Sequence, residues 1–387
     1  MRLLGGIILS LFLSWPVFGQ DQVRVRIKRN IDQVTLAGFD LAVSLKGQKT
    51  RLSHLPKRMA LHLVPSENGL SVYSKDLPEP LLNLGFKVVV SGEMMHLNGQ
   101  LVPENIEFSI NASSRLRMDA IALLPLEKYL EGVIPSEMPA SWPLEALKAQ
   151  AVASRSYAMS MLEDRRGRPF HLESSVEDQV YNLSNHLNAD QGTKNKILKA
   201  IEETRGEYLK DNEGHTLKAY YHADCGGQTE LPKSVWNSSE PGGVMVKDSH
   251  SSFSPNGSWK WHMDRGQLRR ELNGYLGLAK DLKIKDLTVA GHTGSGRVDQ
   301  LKVSFANGEN HQLSAQVFRE VLGFNKVKSA YFKVQLSEAE LFVEGRGHGH
   351  GVGLCQYGAK YLAKRGQSYR QILQHYYGEK KILTRLL

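Results

Sequence analysis

The chain has 387 residues, 41% of them hydrophobic and 23% charged, enough for a sizeable core in two folded units of ordinary globular composition. Its formal net charge of +9 comes from lysines and arginines spread along the sequence. With no dense basic tract and no nucleic-acid motif, nucleic acid is not expected as a partner, and in an exported protein such a surface suits anionic wall polymers or membrane surfaces. Nothing reads as low complexity, coiled coil or a fixed-period repeat.

The first residues form a leader. Arg2 gives a positive start, Leu3 to Leu13 are apolar apart from glycines and Ser10, and Pro16 breaks the run before Val17-Phe18-Gly19. Small residues at −3 and −1 place cleavage before Gln20, so residues 1–19 read as a signal peptide. The run is short of the roughly 20 residues that span a bilayer, and no cysteine follows to take a lipid. No later segment is apolar enough to cross a membrane. The mature chain is therefore expected to be exported, periplasmic or cell-wall associated, with no transmembrane segment.

Residues 20–115 alternate as strands do, in Val23-Arg24-Val25-Arg26-Ile27, Phe86 to Val90 and Ile106 to Ile110, with turn signals at Asn68-Gly69, Gly92-Glu93 and Asn98-Gly99. They read as a small β-rich module. From 116 to 387 the pattern mixes helices and strands, so the fold class is α+β. A short helix from Leu126 to Val133 ends at Gly132, a loop covers Pro135 to Trp142, and a longer helix runs from Pro143 to Leu162. Strands follow near Thr216–His222, Ile284–Ala290 and Asp299–Phe305, then helices at Gln356–Lys364 and Tyr369–Tyr376.

Residues 132–158 carry the most information. Glu137 stands between Pro135 and Pro139, close to apolar Met138 and Trp142. A carboxyl against apolar surface has a raised pKa, as a general acid near neutral pH requires; the plain alternative is a solvated loop glutamate. On the helix, Leu144, Leu147, Ala151 and Ala158 share one face, and Lys148, Val152 and Arg155 another. That second face is either two cations stacked behind the Glu137 loop or a solvated surface.

Tyr129-Leu130-Glu131-Gly132-Val133, Glu137-Met138-Pro139, Trp142 to Ala153, Arg155 and Tyr157-Ala158 together resemble the signature of the stage II sporulation protein D family, which includes the amidase enhancers. Over about thirty positions such a match is far more specific than a short motif. The resemblance implies a lytic transglycosylase domain over 116–387 that cuts peptidoglycan glycan strands with Glu137 as catalytic acid and Lys148 and Arg155 as active-site residues. One acid suffices for that reaction. It protonates the glycosidic oxygen and then accepts the proton of the sugar's own 6-hydroxyl as that oxygen attacks C1, leaving a 1,6-anhydro-muramoyl end. Hydrolysis by a Glu137–Asp178 pair is the two-carboxylate alternative.

The resemblance extends to Asp178-Gln179-Val180-Tyr181, Tyr220 to Thr229, Gly294 to Arg297, Gly345 to Ala359 and Ile372 to Tyr377. Gln179, Tyr181, Tyr221, His350, Gln356 and Tyr357 are the expected substrate contacts. Structural roles, a turn glutamine, a buried tyrosine and a hydrogen-bonded histidine, explain Gln179, Tyr181 and His350 equally well. The aromatics near Tyr220 suit stacking on sugar rings. The glycine-rich loop at 345–353 lacks the Lys-Ser/Thr of a nucleotide-binding P-loop.

Cys225 and Cys355 are the two cysteines. In an oxidising compartment they form a disulfide, worth ~4–5 kcal/mol over a loop of this length in the chain-entropy model. The other reading is a structural zinc on His222, Cys225 and Cys355, completed by His348 or His350, as in family members that hold zinc through His and Cys. The cleavage itself requires no cofactor. Expected partners are the glycan strands, including peptide-stripped ones, and a cell-wall amidase. The rival function is a non-catalytic wall-binding protein that stimulates an N-acetylmuramoyl-L-alanine amidase.

Overall fold

The computed structural model describes residues 22–45, 48–51, 57–75, 79–80, 82, 84–111, 113–238, 242–249, 254–379 and 382–385. The expected leader, residues 1–19, lies outside them. The fold is α+β. Among the described residues no helix is long and apolar enough to cross a membrane.

Period-two alternation builds the N-terminal half: β1 (Val23–Ile31), β2 (Val34–Leu45), β3 (Gln48–Arg51), β4 (Arg58–Ser66), β5 (Gly69–Tyr73), β6 (Lys87–Leu97), β7 (Gln100–Leu101), β8 (Asn105–Asn111) and β9 (Ser114–Leu124). In β4, Met59, Leu61 and Leu63 are buried while His62 faces out. Asn98 and Gly99, both at positive φ, turn β6 into β7, as expected. Gly92-Glu93 is not a turn. Gly92 sits inside β6, where a Cβ would stand 2.4 Å from Leu41 Cδ2, opposite a register shift between β2 and β6.

The strands join one ten-stranded sheet with β10 (Leu172–Glu173), in the order β10-β1-β9-β8-β6-β2-β4-β5, with β3 on β2 and β7 on β6. Two connections tie this sheet to the helical part of the chain. The strand β9 runs through the expected boundary at 115/116 into the first helix, and β10 pairs parallel with β1, Val25 opposite Leu172. One buried apolar cluster accordingly extends from Val23 through Leu147 to Tyr377.

The helix α1 (Leu126–Glu137) is longer than its sequence suggests and carries Pro135 inside it. Proline cannot donate to the carbonyl one turn back, but the turn is held by Ser136 Oγ donating to Gly132 O at 2.6 Å and Met138 N–H donating to Ile134 O at 2.9 Å. Gly132 does not end the helix. It is a notch: a Cβ there would lie 2.4 Å from the Tyr181 ring. The next helix, α2 (Leu144–Asp164), is buried at every position from Ala149 to Ala158, as a central helix with a run of small residues should be. Around it stand α3 (Leu183–Leu187), α4 (Gln191–Glu203), β11 (Glu207–Lys210), β12 (Tyr221–His222) and α5 (Pro232–Trp236). Of the strand expected over 216–222, only β12 forms; Thr216 makes an isolated bridge to Lys210.

A second core, centred on Leu301, Phe318 and Val343, belongs to β13 (Trp259–Asp264), α6 (Arg265–Leu276), β14 (Ile284–His292), β15 (Val298–Phe305), β16 (Asn310–Ser314), α7 (Ala315–Leu322), β17 (Phe332–Leu336) and β18 (Glu340–Gly345). The chain then returns through β19 (Leu354–Cys355), α8 (Gln356–Lys364), α9 (Tyr369–Tyr377) and β20 (Ile382–Arg385), the last pairing with β11.

Candidate functional site

Glu137 is the last residue of α1, so its carboxyl stands at the negative end of the helix, which disfavours the charged form. Burial pushes its pKa up further, opposed by the Val180 N–H and by the side chains of Tyr221 and Gln356. Val180 N–H donates to Oε1 at 2.8 Å. The buried Tyr221 hydroxyl lies against Glu137, Ser154 and Gln179 without closing a well-formed hydrogen bond among the described residues. A shielded carboxyl facing a phenol, an amide and a backbone N–H can give up a proton and take one back.

The neighbouring polar groups form a second layer. Tyr129 Oη donates to Gln179 Oε1 at 3.0 Å, and Gln179 Nε2 to Ser154 O at 3.3 Å. Gln356 Nε2 donates to Gln150 Oε1 at 3.3 Å, and Gln150 Nε2 to Ser154 Oγ at 2.9 Å. Gln179 is fully buried and Tyr181 stacks on Tyr129 at 5.4 Å, so both support the wall behind the carboxyl. Tyr357 packs edge-on to Trp142 at 4.9 Å. His350 accepts from Val352 N–H on Nδ1 at 3.0 Å and packs 4.9 Å from Trp236; burial pushes its pKa down to about 3, so the ring is neutral.

The two helix cations do not join this group. Arg155 is fully buried; its Nε and Nη2 donate to Glu127 at 2.9 and 2.7 Å and its Nη1 to Glu207 O at 2.9 Å. Lys148 pairs with Glu145 at 2.9 Å and with Glu203. Their spacing does align them along α2, but that face meets α1, α4 and β11 instead of a cleft. Both cations expected at the substrate are thus ion-paired within the frame. Asp178 is likewise committed. It takes Arg165 Nη1 at 2.8 Å, Tyr157 Oη at 3.0 Å and Glu173 N–H at 2.8 Å, which leaves it poorly suited to activating water.

His222 and Cys355 are register partners on the parallel strands β12 and β19, one residue from Tyr221 and Gln356 respectively. His222 Nδ1 lies 3.0 Å from Val352 O and must carry its proton there. That leaves Nε2 as a buried acceptor with no partner among the described residues. Cys225 and Cys355 are buried and unbridged, and the three ligand atoms all lie within 4.8 Å of one another. A backbone carbonyl fixing one ring nitrogen while the other faces two thiols is the donor set that suits a soft, tetrahedral cation.

A cavity of about 410 Å³ opens beside Tyr221, lined by Tyr157, Tyr220 and Trp236 among others. No local pattern announces it, since Tyr157 and Trp236 come from elements 79 residues apart in number. Gln150, Ser154 and the Val180 N–H also escape a reading of the sequence. A backbone group has no sequence signal, and Gln150 and Ser154 sit on a helix whose composition reads as plain core.

An α+β frame with one shielded carboxyl, ringed by donors at a helix end, defines a candidate single-acid active site. Residues 114–210 match the model described as stage II sporulation protein, and 246–353 match a domain of unknown function that coincides with the second core. The chain is 32% identical over 272 residues to stage II sporulation protein D of Bacillus subtilis, covering 68% of this chain and 76% of that one. It is 31% identical over 257 residues to an uncharacterized protein of Brachyspira hyodysenteriae, spanning 65% of its length. It is also 31% identical over 293 residues to the amidase enhancer of Bacillus subtilis, of which it spans 39%. The chain belongs to the stage II sporulation protein D family.

Proposed function

We propose that the chain is an exported cell-wall protein and a peptidoglycan lytic transglycosylase. Protonated Glu137 gives its proton to the glycosidic oxygen as the bond to C1 of N-acetylmuramic acid breaks. The carboxylate then takes the proton of the 6-hydroxyl as O6 bonds to C1, so Glu137 is regenerated and no water is consumed. The observation that carries the reading is the raised pKa of Glu137 with Tyr221, Gln356 and Val180 N–H facing it, while Asp178 is tied to Arg165. A retaining or inverting hydrolase needs a second available carboxylate.

A second reading keeps the wall and drops the chemistry: a binder that stimulates an amidase. It is favoured by the likeness to the amidase enhancer and by the engagement of Lys148 and Arg155 in ion pairs. Mass spectrometry of denuded and intact strands after incubation separates the two. Anhydro-muramoyl ends support the enzyme; none, with a faster partner amidase, supports the enhancer.

The His222, Cys225 and Cys355 set suits a structural zinc, which would stitch β12 to β19 and leave the chemistry to Glu137. Elemental analysis with thiol counting tests this. One zinc per chain, lost in Cys355→Ser together with several degrees of Tm, is expected; a metal-free chain lighter by two protons is the disulfide instead.

A further inference from the structure

The side chains and the N–H that face Glu137 come from Val180, Tyr221 and Gln356, all beyond β9, yet the loop that supplies Val180 is held from β1. Residues 165–182, between α2 and α3, contain only the two-residue strand β10. A connection with little structure of its own is uncommon past ~12–15 residues and usually functional.

Period-two alternation in β1 buries Val23 and Val25 and leaves Arg24 and Arg26 on the opposite face. That face is not left to water. Glu107 of β8 and Asp119 of β9 are buried on it, beneath the loop. Arg24 Nη2 donates to Glu107 Oε1 at 2.8 Å and its Nε to Pro169 O at 2.7 Å. Arg26 is the larger clamp. Its Nη1 donates to Asp119 Oδ2 at 2.9 Å, its Nε to Glu173 Oε2 at 3.1 Å and its Nη2 to Glu173 Oε1. The guanidinium also lies 4.1 Å from the centre of the Phe170 ring, a combination that suits arginine's planar fork and not the point charge of lysine. The backbone repeats the attachment, His171 N–H donating to Arg24 O at 2.8 Å and Ser174 N–H to Arg26 O at 3.2 Å.

From Glu173 the hold passes towards the acid. Glu173 N–H donates to Asp178 Oδ2 at 2.8 Å, and Arg165 and Tyr157 grip the same carboxylate from α2. The loop tip is thus fixed between α2 and the N-terminal sheet, and just beyond Asp178 the Val180 N–H meets Glu137 Oε1 at 2.8 Å.

We propose that Arg26 is a positioning residue for Glu137, and that the N-terminal sheet is a built-in part of the active site which, through Glu173 and Asp178, sets where the Val180 N–H stands. The expected effect on rate rests on the glycan-cleavage reading; the expected effect on the loop does not.

The test compares full-length Arg26→Met with Arg117→Met, a change on β9 of the same sheet whose bonds go to Asp32 and Asn30. Hydrogen exchange over 172–182 should quicken about tenfold in Arg26→Met and stay at wild type in Arg117→Met, with β4 and α2 unchanged in both. Strand cleavage by Arg26→Met should lose roughly tenfold to a hundredfold in kcat, with KM within about twofold. Its alkaline limb should move to higher pH, because the Val180 N–H favours the charged form of Glu137. The phenols facing Glu137, Tyr221 of β12 and Tyr129 of α1, are pushed well up by burial and do not titrate across that limb. Arg26→Lys, which keeps the cation without the fork, should recover part of the rate.

If Arg26→Met does not fold, Glu173→Gln carries the same test. It neutralises one half of the clamp, keeps the backbone of β10, and should shift all three readouts the same way by a smaller factor. A folded variant with wild-type exchange at 172–182, kcat and pH profile overturns the proposal. So does loosening spread evenly over the whole sheet, which is a loss of stability alone. The two readings fail separately. A wild type that cuts no strand removes the cleavage and leaves the exchange contrast to decide the clamp, whereas cleavage that needs Glu137 but ignores Arg26 does the reverse.

Discussion

Val180 and Glu137, 43 residues apart in the chain, meet where the Val180 N–H donates to Glu137 Oε1 at 2.8 Å. This bond fixes the direction of a carboxyl that burial keeps from ionising at its ordinary value. An amide oxygen can accept the same N–H, so Glu137→Gln keeps the geometry and loses the proton. Cleavage is expected to fall at least a thousandfold while strand binding stays within a few-fold. The wild-type rate should also fall as pH rises through the raised pKa of Glu137, because the acid form starts the reaction. Anhydro-muramoyl release measured across pH checks both, and turnover left intact in Glu137→Gln removes this residue from the mechanism.

The same shift has a consequence for stability. The folded state keeps the Glu137 proton at pH values where the unfolded chain, titrating near 4.5, has released it. Between those two values the folded state binds more protons, so stability falls as pH rises, then levels off above the folded pKa. Glu137→Gln has no such proton to lose. Urea unfolding over a pH series should find the variant gaining on wild type across that window and at least as stable at neutral pH. A difference that does not change with pH would mean that the carboxyl titrates alike in both states.

Arg155 is read as part of the frame, and its removal should act on folding more than on substrate. Arg155→Met leaves Glu127, its side chain only 13% exposed, without its cation and with only the Gly206 N–H at 3.3 Å still donating to it. Breaking one half of a buried pair costs about 3–5 kcal/mol, while replacing both halves by apolar groups costs much less. The double variant Glu127→Leu/Arg155→Met should therefore recover much of the loss in urea midpoint. Glycan affinity of the folded protein should stay near wild type. A large loss of affinity with little loss of stability would return Arg155 to the cleft.

Local patterns are legible where one element decides them. The strands β1, β6 and β8 follow period-two alternation, and α8 runs from Gln356 to Lys364 as its spacing predicts. The identity of Glu137 as the central carboxyl is legible through the motif around it, but its setting is not. Gly132 and Pro135 are both helix-ending signals, yet the helix continues because Ser136 Oγ and the Met138 N–H close its last turn, while Gly132 is small because the Tyr181 ring lies over it. For Lys148 and Arg155 the helical face is readable, whereas the surroundings of that face depend on Glu127 and Glu203 arriving from other segments. The second core escapes the sequence for a similar reason: its short strands share no single long period, and its limits are set by Trp259 pairing with Gly345 across 86 residues of chain.

Gly132 gives the sharpest test of how the frame reaches the acid. Alanine in a helix interior normally gains ~0.5–1 kcal/mol over glycine, and that is the expectation for Gly274 in α6, where a Cβ meets nothing within 4 Å. At Gly132 the new Cβ would stand 2.4 Å from Tyr181 Cε2 and 2.8 Å from Cδ2. The ring cannot yield freely, because it is buried and stacked on Tyr129. Overpacking of this kind costs about 1–3 kcal/mol and outweighs the propensity gain. Gly132→Ala should thus lower the urea midpoint while Gly274→Ala raises it. Because Tyr181 follows Val180 directly, displacing the ring also pulls the N–H away from Glu137. The rate of strand cleavage should then fall in Gly132→Ala by more than the folded fraction accounts for, with Gly274→Ala unchanged. If Gly132→Ala is as stable and as active as wild type, the Tyr181 ring does not lock the loop that holds the carboxyl.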